Sequence, residues 1–372
     1  MENHSPEGSM IPDIKGPFTR IECLDIDLNS FDQVKTYLLS IGWKPTRWNV
    51  SKTTREITSP KLTEDSFDSI EGDLGKLIAR RWVLRHRRNT VQNYKDPENK
   101  GILAAIREDG RVAAEVITCN AVTGRCTHTG VVVNIPKAKP KLVYGKEMRS
   151  IFCVRDPYVM LGADLKQIEA VVTAHYANLF DGGEYIKVLN SVNSIHDYNA
   201  ALIERDRDTA KSFQYSLFYG ARAPKLASIL KCSKKKAEVY IENFWNGNKG
   251  IKLLIDYLEK YYKKYGFIKG LDGRKIFIRA EYKLLNSLIQ TGAGIIFKKW
   301  GVLANEGLRR DGLQCFQMMN FHDEYDYRCH QDHVDDSSFI IKDAATRSGE
   351  YFKLAMPVEV DVKVGKNWAQ VH

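Results

Sequence analysis

The sequence predicts a protein of the α+β class, in which a few strands are combined with longer helices. A strand is indicated by YVMLGAD at 158–164, an apolar run that ends at an aspartate. A hairpin is indicated by residues 316–321 and 325–329, two strand-like runs on either side of the polar turn His322-Asp323-Glu324. Helices are indicated where apolar residues recur at helical spacing, at 31–41, 168–179 and 207–221.

Composition limits the class of protein. At 372 residues the chain can bury a large core and has room for two or three subdomains. Hydrophobic residues make up 43% and charged residues 27%, a balance that excludes wholesale disorder. The 56 Lys and Arg residues outnumber the 46 Asp and Glu residues, which gives a net charge of +10 and a pI near 9.1. This excess favours a polyanionic partner such as nucleic acid.

Cysteines and apolar runs bear on the cellular compartment. The seven cysteines form no C-x-x-C pair and no zinc-ligand spacing, so reduced thiols are expected. The N-terminal MENHSPEGSMIPDIKG lacks the apolar core of a signal peptide, and no run approaches the roughly 18 apolar residues of a membrane span. We therefore expect a soluble cytoplasmic protein without a membrane partner.

The N-terminal third contains a tail, a helix and a linker in our interpretation. Residues 1–29 are polar and contain three prolines, which predicts a flexible tail. Residues 31–41 predict a helix that ends at Gly42. The stretch 51–68 is rich in Ser, Thr and Asp and predicts a linker. Farther along, Asp109-Gly110 lies between ILAAI and VAAEVI and predicts a β-hairpin.

A basic segment, KLIARRWVLRHRRNTVQNYK at 76–95, is compatible with a helix and carries seven cations and no acid. Like charges one turn apart repel by about 0.2–0.5 kcal/mol per pair, so a solvated helix normally mixes signs. A plain surface helix stays possible. Contact with phosphates is the favoured interpretation, with Arg81, Arg85 and Arg88 as the candidate residues.

Two acidic positions are ambiguous on local pattern alone. Asp164 and Glu169 lie where the apolar strand gives way to a helix, and such residues commonly cap a helix or compensate its dipole. Acids such as Asp323 and Glu324 are also common in ordinary hairpin turns. Neither cluster alone predicts catalysis.

The helix predicted at 207–221, RDTAKSFQYSLFYGA, has a distinctive face. Arg207, Lys211, Tyr215 and Tyr219 are spaced by four, so they share one side, with two cations followed by two phenols. Adjacent cations repel unless an anion lies between them. The face would suit a triphosphate with a base stacked beyond it. An amphipathic helix with core tyrosines is the alternative.

Taken in order, three of these stretches resemble motifs A, B and C of the family A, or pol I-type, DNA polymerases. They are D-x-x-x-x-E at 164–169, R-x-x-x-K-x-x-x-Y-x-x-x-Y-G at 207–220 and H-D-E at 322–324. The resemblance covers residues from about 30 to 372 and is strongest to the replicative polymerases of T-odd podophages. Further matching segments are AVTGRCTH at 121–128, NIP at 134–136, SIHD at 194–197, GLDGRK at 270–275, LLNSLIQTGAG at 284–294 and GKNWAQVH at 365–372.

The resemblance implies a right-hand polymerase fold of the α+β class, with an antiparallel-sheet palm, helical fingers and a truncated thumb. The implied divisions are a tail at 1–29, a partial thumb at 30–98, palm at 99–180, fingers at 181–299 and palm at 300–372.

The implied reaction is template-directed transfer of deoxynucleotides to a primer 3′-end. Asp164 and Asp323 would hold two Mg²⁺ ions, for which Mn²⁺ is a possible substitute. Glu324 would support this site, and Lys211 would join the catalytic residues while binding the triphosphate. The partners implied are primer-template DNA and dNTPs.

The resemblance also assigns binding residues. Nucleotide-binding roles fall on Arg207, Lys211, Tyr215, His196 and Glu169, the last of which would exclude a ribose 2′-hydroxyl. DNA-binding roles fall on Arg125, Tyr219, Asn286, Gln290, His322 and Arg274, in addition to Arg81, Arg85 and Arg88.

Three departures from the family pattern are visible. Lys166 stands where serine is usual and Val171 where arginine is usual. The segment before residue 30 is too short for the exonuclease domain and thumb helices, so we expect either a split phage enzyme with those parts on a separate chain or a truncated form. Such a phage protein would act in the cytoplasm of the infected host. The alternatives are an inactive DNA-binding relic and a relative of single-subunit RNA polymerases.

Overall fold

The computed structural model describes residues 25–372 except 52, 55, 94–100, 114, 131, 134, 140, 141, 192, 193 and 322. Most of the expected N-terminal tail, Asn134 of the NIP segment and His322 of the H-D-E segment therefore lie outside the described residues. The chain divides into two compact units, Met1–Arg88 and Asn89–His372. In the described part, no helix combines the length and apolarity that a membrane crossing requires.

The first unit packs two helices and a short hairpin around a small core. The hydroxyl of Ser30 caps the first helix, and Val34, Leu38 and Trp43 are buried with Ile78 of the second. The prediction of a linker at 51–68 is wrong, because the stretch contains a strand and a 3₁₀ turn. The strand pairs with residues 48–50, which lie before the stretch. The elements are α1 (Phe31–Ser40), β1 (Trp48–Val50), β2 (Ile57–Pro60) and α2 (Asp73–Val91).

The second unit contains a four-stranded sheet and a large helical region. Its elements are β3 (Glu115–Ile117), β4 (Thr127–Thr129), α3 (Gly145–Ser150), β5 (Tyr158–Leu165), α4 (Ile168–Asp181), α5 (Glu184–Ser191), α6 (Ile195–Leu202), α7 (Arg207–Phe218), α8 (Ala223–Leu230), α9 (Lys234–Gly247), α10 (Lys249–Tyr265), β6 (Ile268–Lys269), β7 (Lys275–Ile276), α11 (Leu284–Arg310), β8 (Cys315–Phe321), β9 (Glu324–His330), α12 (Val334–Tyr351), β10 (Val360–Gly365) and α13 (Trp368–Val371).

The hairpin predicted around Asp109-Gly110 is only partly present. Gly110 has a φ of +77° and its N–H donates to Arg107 O, which makes the tight turn. The ILAAI run forms a 3₁₀ turn rather than a strand, and a single bridge joins Ile106 to Val112. VAAEVI contributes β3, which pairs with β4 instead, so the prediction of two paired strands here is wrong.

The sheet has the order β10-β5-β9-β8, and all neighbouring strands are antiparallel. Alternate residues point to opposite faces, because the side-chain period of a strand is two. Leu161, Ala163 and Tyr327 are buried in the core that includes residues of α11 and α12. On the other face, a Cβ at Gly162 would lie 2.7 Å from Val371 O, so only glycine lets α13 approach so closely.

The helical region is built around two further clusters. One joins α4, α10 and α11 through residues such as Ala177, Leu254 and Leu288. The other joins α7, α8 and α9 around Phe213, Leu226 and Phe244. The long helix α11 runs without interruption across the division expected between residues 299 and 300.

Candidate active site

The sheet brings Asp164 and Asp323 together. Asp164 is the next-to-last residue of β5 and lies opposite Glu324 of β9 in the strand register. Asp323 occupies the turn just before β9, and its carbonyl accepts a hydrogen bond of 3.1 Å from the Leu165 N–H. The two aspartates therefore come from adjacent strand ends, although half the unit's sequence separates them.

The electrostatics at the end of the sheet where Asp164 and Asp323 lie favour a bound cation. Asp164 is exposed at the strand end, yet the surrounding protein displaces enough water to raise its pKa to about 6, with added repulsion from Glu324 and Asp323. Asp323 Oδ1 and Glu324 Oε1 are shielded from solvent and accept no hydrogen bond from the described residues. A shielded carboxylate oxygen without a hydrogen bond is costly unless positive charge lies close to it.

These donors fit Mg²⁺ only in company with a substrate. Within the described ranges, no group of three or more His, Cys, Asp or Glu side chains is arranged to hold a metal by itself. Mg²⁺ is usually held by one or two carboxylates that share it with substrate phosphates. Asp164 and Asp323 would be the protein ligands of such an ion.

A buried ionic group beneath the carboxylates was missed from the sequence. Glu324, only 3% exposed, is hydrogen-bonded to the imidazole of His372. Asp326 follows on the same face of β9 and is 1% exposed; burial and Glu324 raise its pKa far above the ordinary range. Arg149 of α3 is equally buried, and its guanidinium lies 4.1 Å from the Trp368 ring centroid. Burial lowers the pKa of Arg149, and the nearby acids Glu324 and Asp326 oppose that fall.

Arg125 contacts three elements at the end of the sheet that carries Asp164 and Asp323, which we call the carboxylate end. Its Nη2 lies 3.0 Å from Glu169 Oε1 and 3.7 Å from Asp323 Oδ1. Its Nε donates to Gln290 O of α11 at 3.3 Å. Burial raises the pKa of Glu169 and Arg125 opposes that rise. Only a forked guanidinium can make these contacts together.

The face predicted on α7 is present. Asp206 caps the helix, and Arg207, Lys211 and Tyr215 are exposed along it. Arg207 Nε lies 3.5 Å from Asp197, an exposed ion pair. Burial raises the pKa of Tyr215, with further contributions from Glu169 and Asp323, so the phenol lies within electrostatic range of the carboxylate end.

His196 is held beside this face. Its Nδ1 donates to Gln214 Oε1 at 3.0 Å, an oxygen that also accepts from the buried Asn199. Burial lowers the pKa of His196, and Lys211 and Arg207 lower it further. The imidazole is thus oriented by a buried amide pair, and nothing in the local sequence pattern singled out Gln214.

The remaining DNA candidates lie on α11 and nearby loops. Gln290 donates to the Tyr219 hydroxyl at 2.6 Å, which joins α11 to the end of α7. Asn286 is half-buried one turn earlier. Arg274 is ion-paired with Asp272 at 2.6 Å, and its Nη1 would lie 3.0 Å from a Cβ at Gly124, next to Arg125.

The basic residues of α2 belong to the first unit. Arg81 donates to Leu28 O at 2.7 Å and to Asn29 Oδ1 at 3.0 Å. Arg85 donates to Asn29 O at 3.4 Å and lies over the Trp82 ring. Arg88 is exposed. Two of the three candidates therefore also fix the chain before α1.

The family model described as DNA polymerase family A matches residues 13–370. The chain belongs to DNA polymerase family A. The family assignment expected from motifs A, B and C is thereby confirmed.

Individual relatives of this family A chain come from phages and bacteria. It is 27% identical to a DNA-directed DNA polymerase of Enterobacteria phage T3 and 27% identical to one of Escherichia phage T7, over 96% of this chain and 54% of each relative. It is 26% identical to DNA polymerase I of Chloroflexus aurantiacus over 70% of this chain and 29% of that protein. The chain thus spans about half the length of these two phage relatives.

The fold agrees with a solved structure described as the POL domain of Pol1 from M. smegmatis in complex with DNA primer-template and dNTP. The TM-score is 0.74 at 24% identity, over 93% of this chain and 62% of that one. The expected polymerase fold is therefore confirmed.

The two single-residue departures from the family A pattern have separate structural settings. Lys166 lies 3.3 Å from Glu359 and 3.2 Å from Asp361, so neighbouring carboxylates neutralise its charge. Val171 is buried in the core between the sheet and α11. Neither residue adds an unpaired charge to the carboxylate end.

Proposed function

We propose that this chain catalyses template-directed addition of deoxynucleotides to a primer 3′-end. The observation that carries the proposal is the convergence of Asp164 and Asp323 at one sheet end, within electrostatic range of the α7 face. One side offers clustered carboxylates and the other offers cations and an exposed phenol. Phosphoryl transfer needs both a site for metal ions and a site with cationic side chains, because the two together balance the charge of a triphosphate.

When bound by Asp164 and Asp323, two divalent ions would activate the primer hydroxyl and stabilise the leaving pyrophosphate. The protein fixes where this occurs. Pairing of β5 with β9 sets the spacing of the carboxylates, and His372 holds Glu324 beneath them. Arg125 restrains Asp323 and Glu169 from the opposite side.

The α7 face would bind the incoming nucleotide. Lys211 and Arg207 would pair with the triphosphate, and His196 would add a third contact from Nε2, since Gln214 occupies Nδ1. Tyr215 would stack near the base and sugar. Glu169, held by Arg125, would fill the space that a ribose 2′-hydroxyl needs.

Duplex DNA would be read from the side of α11. Gln290, Asn286 and Arg125 offer the donors suited to the minor-groove edge that correct base pairs share. Tyr219, positioned by Gln290, would contact the templating position. His322 is proposed to lie next to the primer terminus, while Arg274 and the α2 arginines would contact phosphates.

The subdomain and partner assignments remain predictions. We propose that the sheet with residues 99–180 and 300–372 is the palm, residues 181–299 the fingers and residues 30–98 a partial thumb. Mg²⁺ is the proposed cofactor. The separate exonuclease chain gains no support from the relatives and stays an untested prediction.

Primer extension on a defined template tests the proposed function. The chain should extend a primer with the four dNTPs in the presence of Mg²⁺, and should use ribonucleotides far less well. Binding of primer-template without extension would favour an inactive DNA-binding relic of a polymerase. Efficient use of ribonucleotides would favour an RNA polymerase.

A further inference from the structure

A row of aromatic side chains lies on the surface of the helical region. Tyr257, Tyr261 and Tyr265 are four apart on α10 and share one face. Their ring centroids are 5.9 Å and 4.5 Å apart in turn. Phe267 and Phe277 continue the row onto the β6–β7 hairpin, with steps of 6.2 Å. We call these five residues the aromatic ladder.

Packing accounts for only part of the aromatic ladder. Tyr261 and Phe267 are half-buried and clamp the hairpin against α10. By contrast, Tyr257 is 49%, Tyr265 48% and Phe277 66% exposed. Exposed rings in a contiguous row are unusual on a protein surface and indicate a ligand.

The surroundings of the ladder are strongly basic. Residues 252–279 contain eight Lys or Arg and three Asp or Glu, a difference of five positive charges. Two of the acids are already paired, Asp256 with Lys252 and Asp272 with Arg274. Lys264 lies 5.1 Å from the Tyr265 ring centroid and Lys275 4.9 Å from that of Phe267, so cations alternate with rings.

We propose that the aromatic ladder binds single-stranded DNA. Bases would stack on Tyr257, Tyr265 and Phe277, and phosphates would pair with the interleaved lysines, which is how sequence-tolerant single-strand sites work. Positive charge alone would also suit an acidic protein. The row of exposed rings favours unpaired bases, because duplex DNA keeps its bases stacked on each other.

The position of the hairpin suggests which strand this is. Arg274, at its tip, reaches the loop that carries Gly124 and Arg125. The hairpin that carries Phe267 and Phe277 therefore reaches the loop next to the candidate active site. The natural occupant is the unpaired template ahead of the primer terminus. That identity rests on the proposed function, whereas binding of single-stranded DNA does not.

Fluorescence anisotropy with a labelled oligothymidylate tests the ladder directly. The full chain carrying Asp323→Ala is compared with the same chain carrying also Tyr257→Leu, Tyr265→Leu and Phe277→Leu. We expect the triple substitution to weaken binding about a hundredfold or more, since each of the three lost stacks weakens binding about fivefold or more. Tyr351→Leu is the control, because Tyr351 is 64% exposed beside Lys299 but belongs to no aromatic row.

The proposal is overturned if the triple variant binds oligothymidylate with unchanged affinity. It is also overturned if the three substitutions weaken only the binding of an acidic peptide used as a second probe. The same triple substitution in a chain that keeps Asp323 serves as the folding control: its extension on a template with a very short overhang should equal that of the chain with an unsubstituted ladder. If the chain that keeps Asp323 extends no primer while oligothymidylate binding depends on the ladder, the proposed function fails and the ladder stands.

Discussion

The two sides of the candidate active site are built in different ways. The α7 face gathers Arg207, Lys211 and Tyr215 through the repeat of a single helix, and all three are exposed to solvent. The carboxylate pair Asp164 and Asp323 depends on β5 pairing with β9, and its charges are partly desolvated and repel one another. Solvent screens the helix face, whereas the sheet end holds electrostatic free energy that a cation would release. Substitutions should therefore cost more at the sheet end.

The largest effect is expected at Asp323. Asp323→Asn removes a charge that metal-assisted transfer needs, so primer extension should fall at least about a thousandfold while primer-template binding persists. Asp361→Asn is the matched control: it faces Asp164 across the strands but is exposed and paired with Lys166. Its extension rate should change less than about threefold. Equal losses in the two variants would show that general negative charge, and not this pair, matters.

An intermediate effect is expected at Lys211. Lys211→Ala should lower kcat/KM for dNTPs between about tenfold and a hundredfold, the range for losing a charged hydrogen bond. Lys225→Ala, an exposed lysine of the neighbouring helix, should have no effect. Steady-state kinetics separates the two. A similar loss in both variants would argue that α7 contributes only to the overall positive field.

A smaller, pH-dependent effect is expected at His196. Burial and two cations hold its pKa below the ordinary value, so the free chain carries a neutral imidazole at pH 7. A bound triphosphate favours the protonated form and raises the pKa in the complex. Affinity for dNTP should therefore increase as pH falls from about 8 toward 6, by at most about tenfold per unit of pKa change. His196→Gln should abolish this pH dependence of dNTP affinity. If the pH dependence persists in the variant, a group other than His196 causes it.

The smallest effect is expected at Lys166. Its charge is matched by Glu359 and Asp361, and exposed ion pairs contribute only about 0–1 kcal/mol. Lys166→Ser should change the extension rate less than about threefold. A loss of tenfold or more would mean that the lysine acts on the carboxylates directly.

Local elements were predictable from the sequence because their patterns are local. The helical spacing of 168–179 and 207–221 and the apolar run of 158–164 correspond to α4, α7 and β5 within a few residues. The strands around the His322-Asp323-Glu324 turn are likewise confirmed as β8 and β9. The motifs and their order gave the candidate carboxylates, yet only strand register shows that Asp164 and Glu324 are opposite each other.

Features that depend on distant partners were not predictable. Strand β2 lies in the Ser- and Thr-rich stretch 51–68 and has no period-two apolar pattern, and it pairs with β1, which lies before that stretch. Arg149 and His372 carry no local pattern that indicates burial beside Glu324 and Asp326. The position of the acid Asp326 within a predicted strand was the one available sign, because a buried acid needs a compensating charge.

The most direct test is anomalous diffraction from crystals of the chain with a non-extendable primer-template, the matching dNTP and Mn²⁺. Two anomalous peaks contacted by the carboxylates of both Asp164 and Asp323 are the predicted result. Peaks at other residues, or none near these two aspartates while the dNTP is ordered on α7, would contradict the proposed active site.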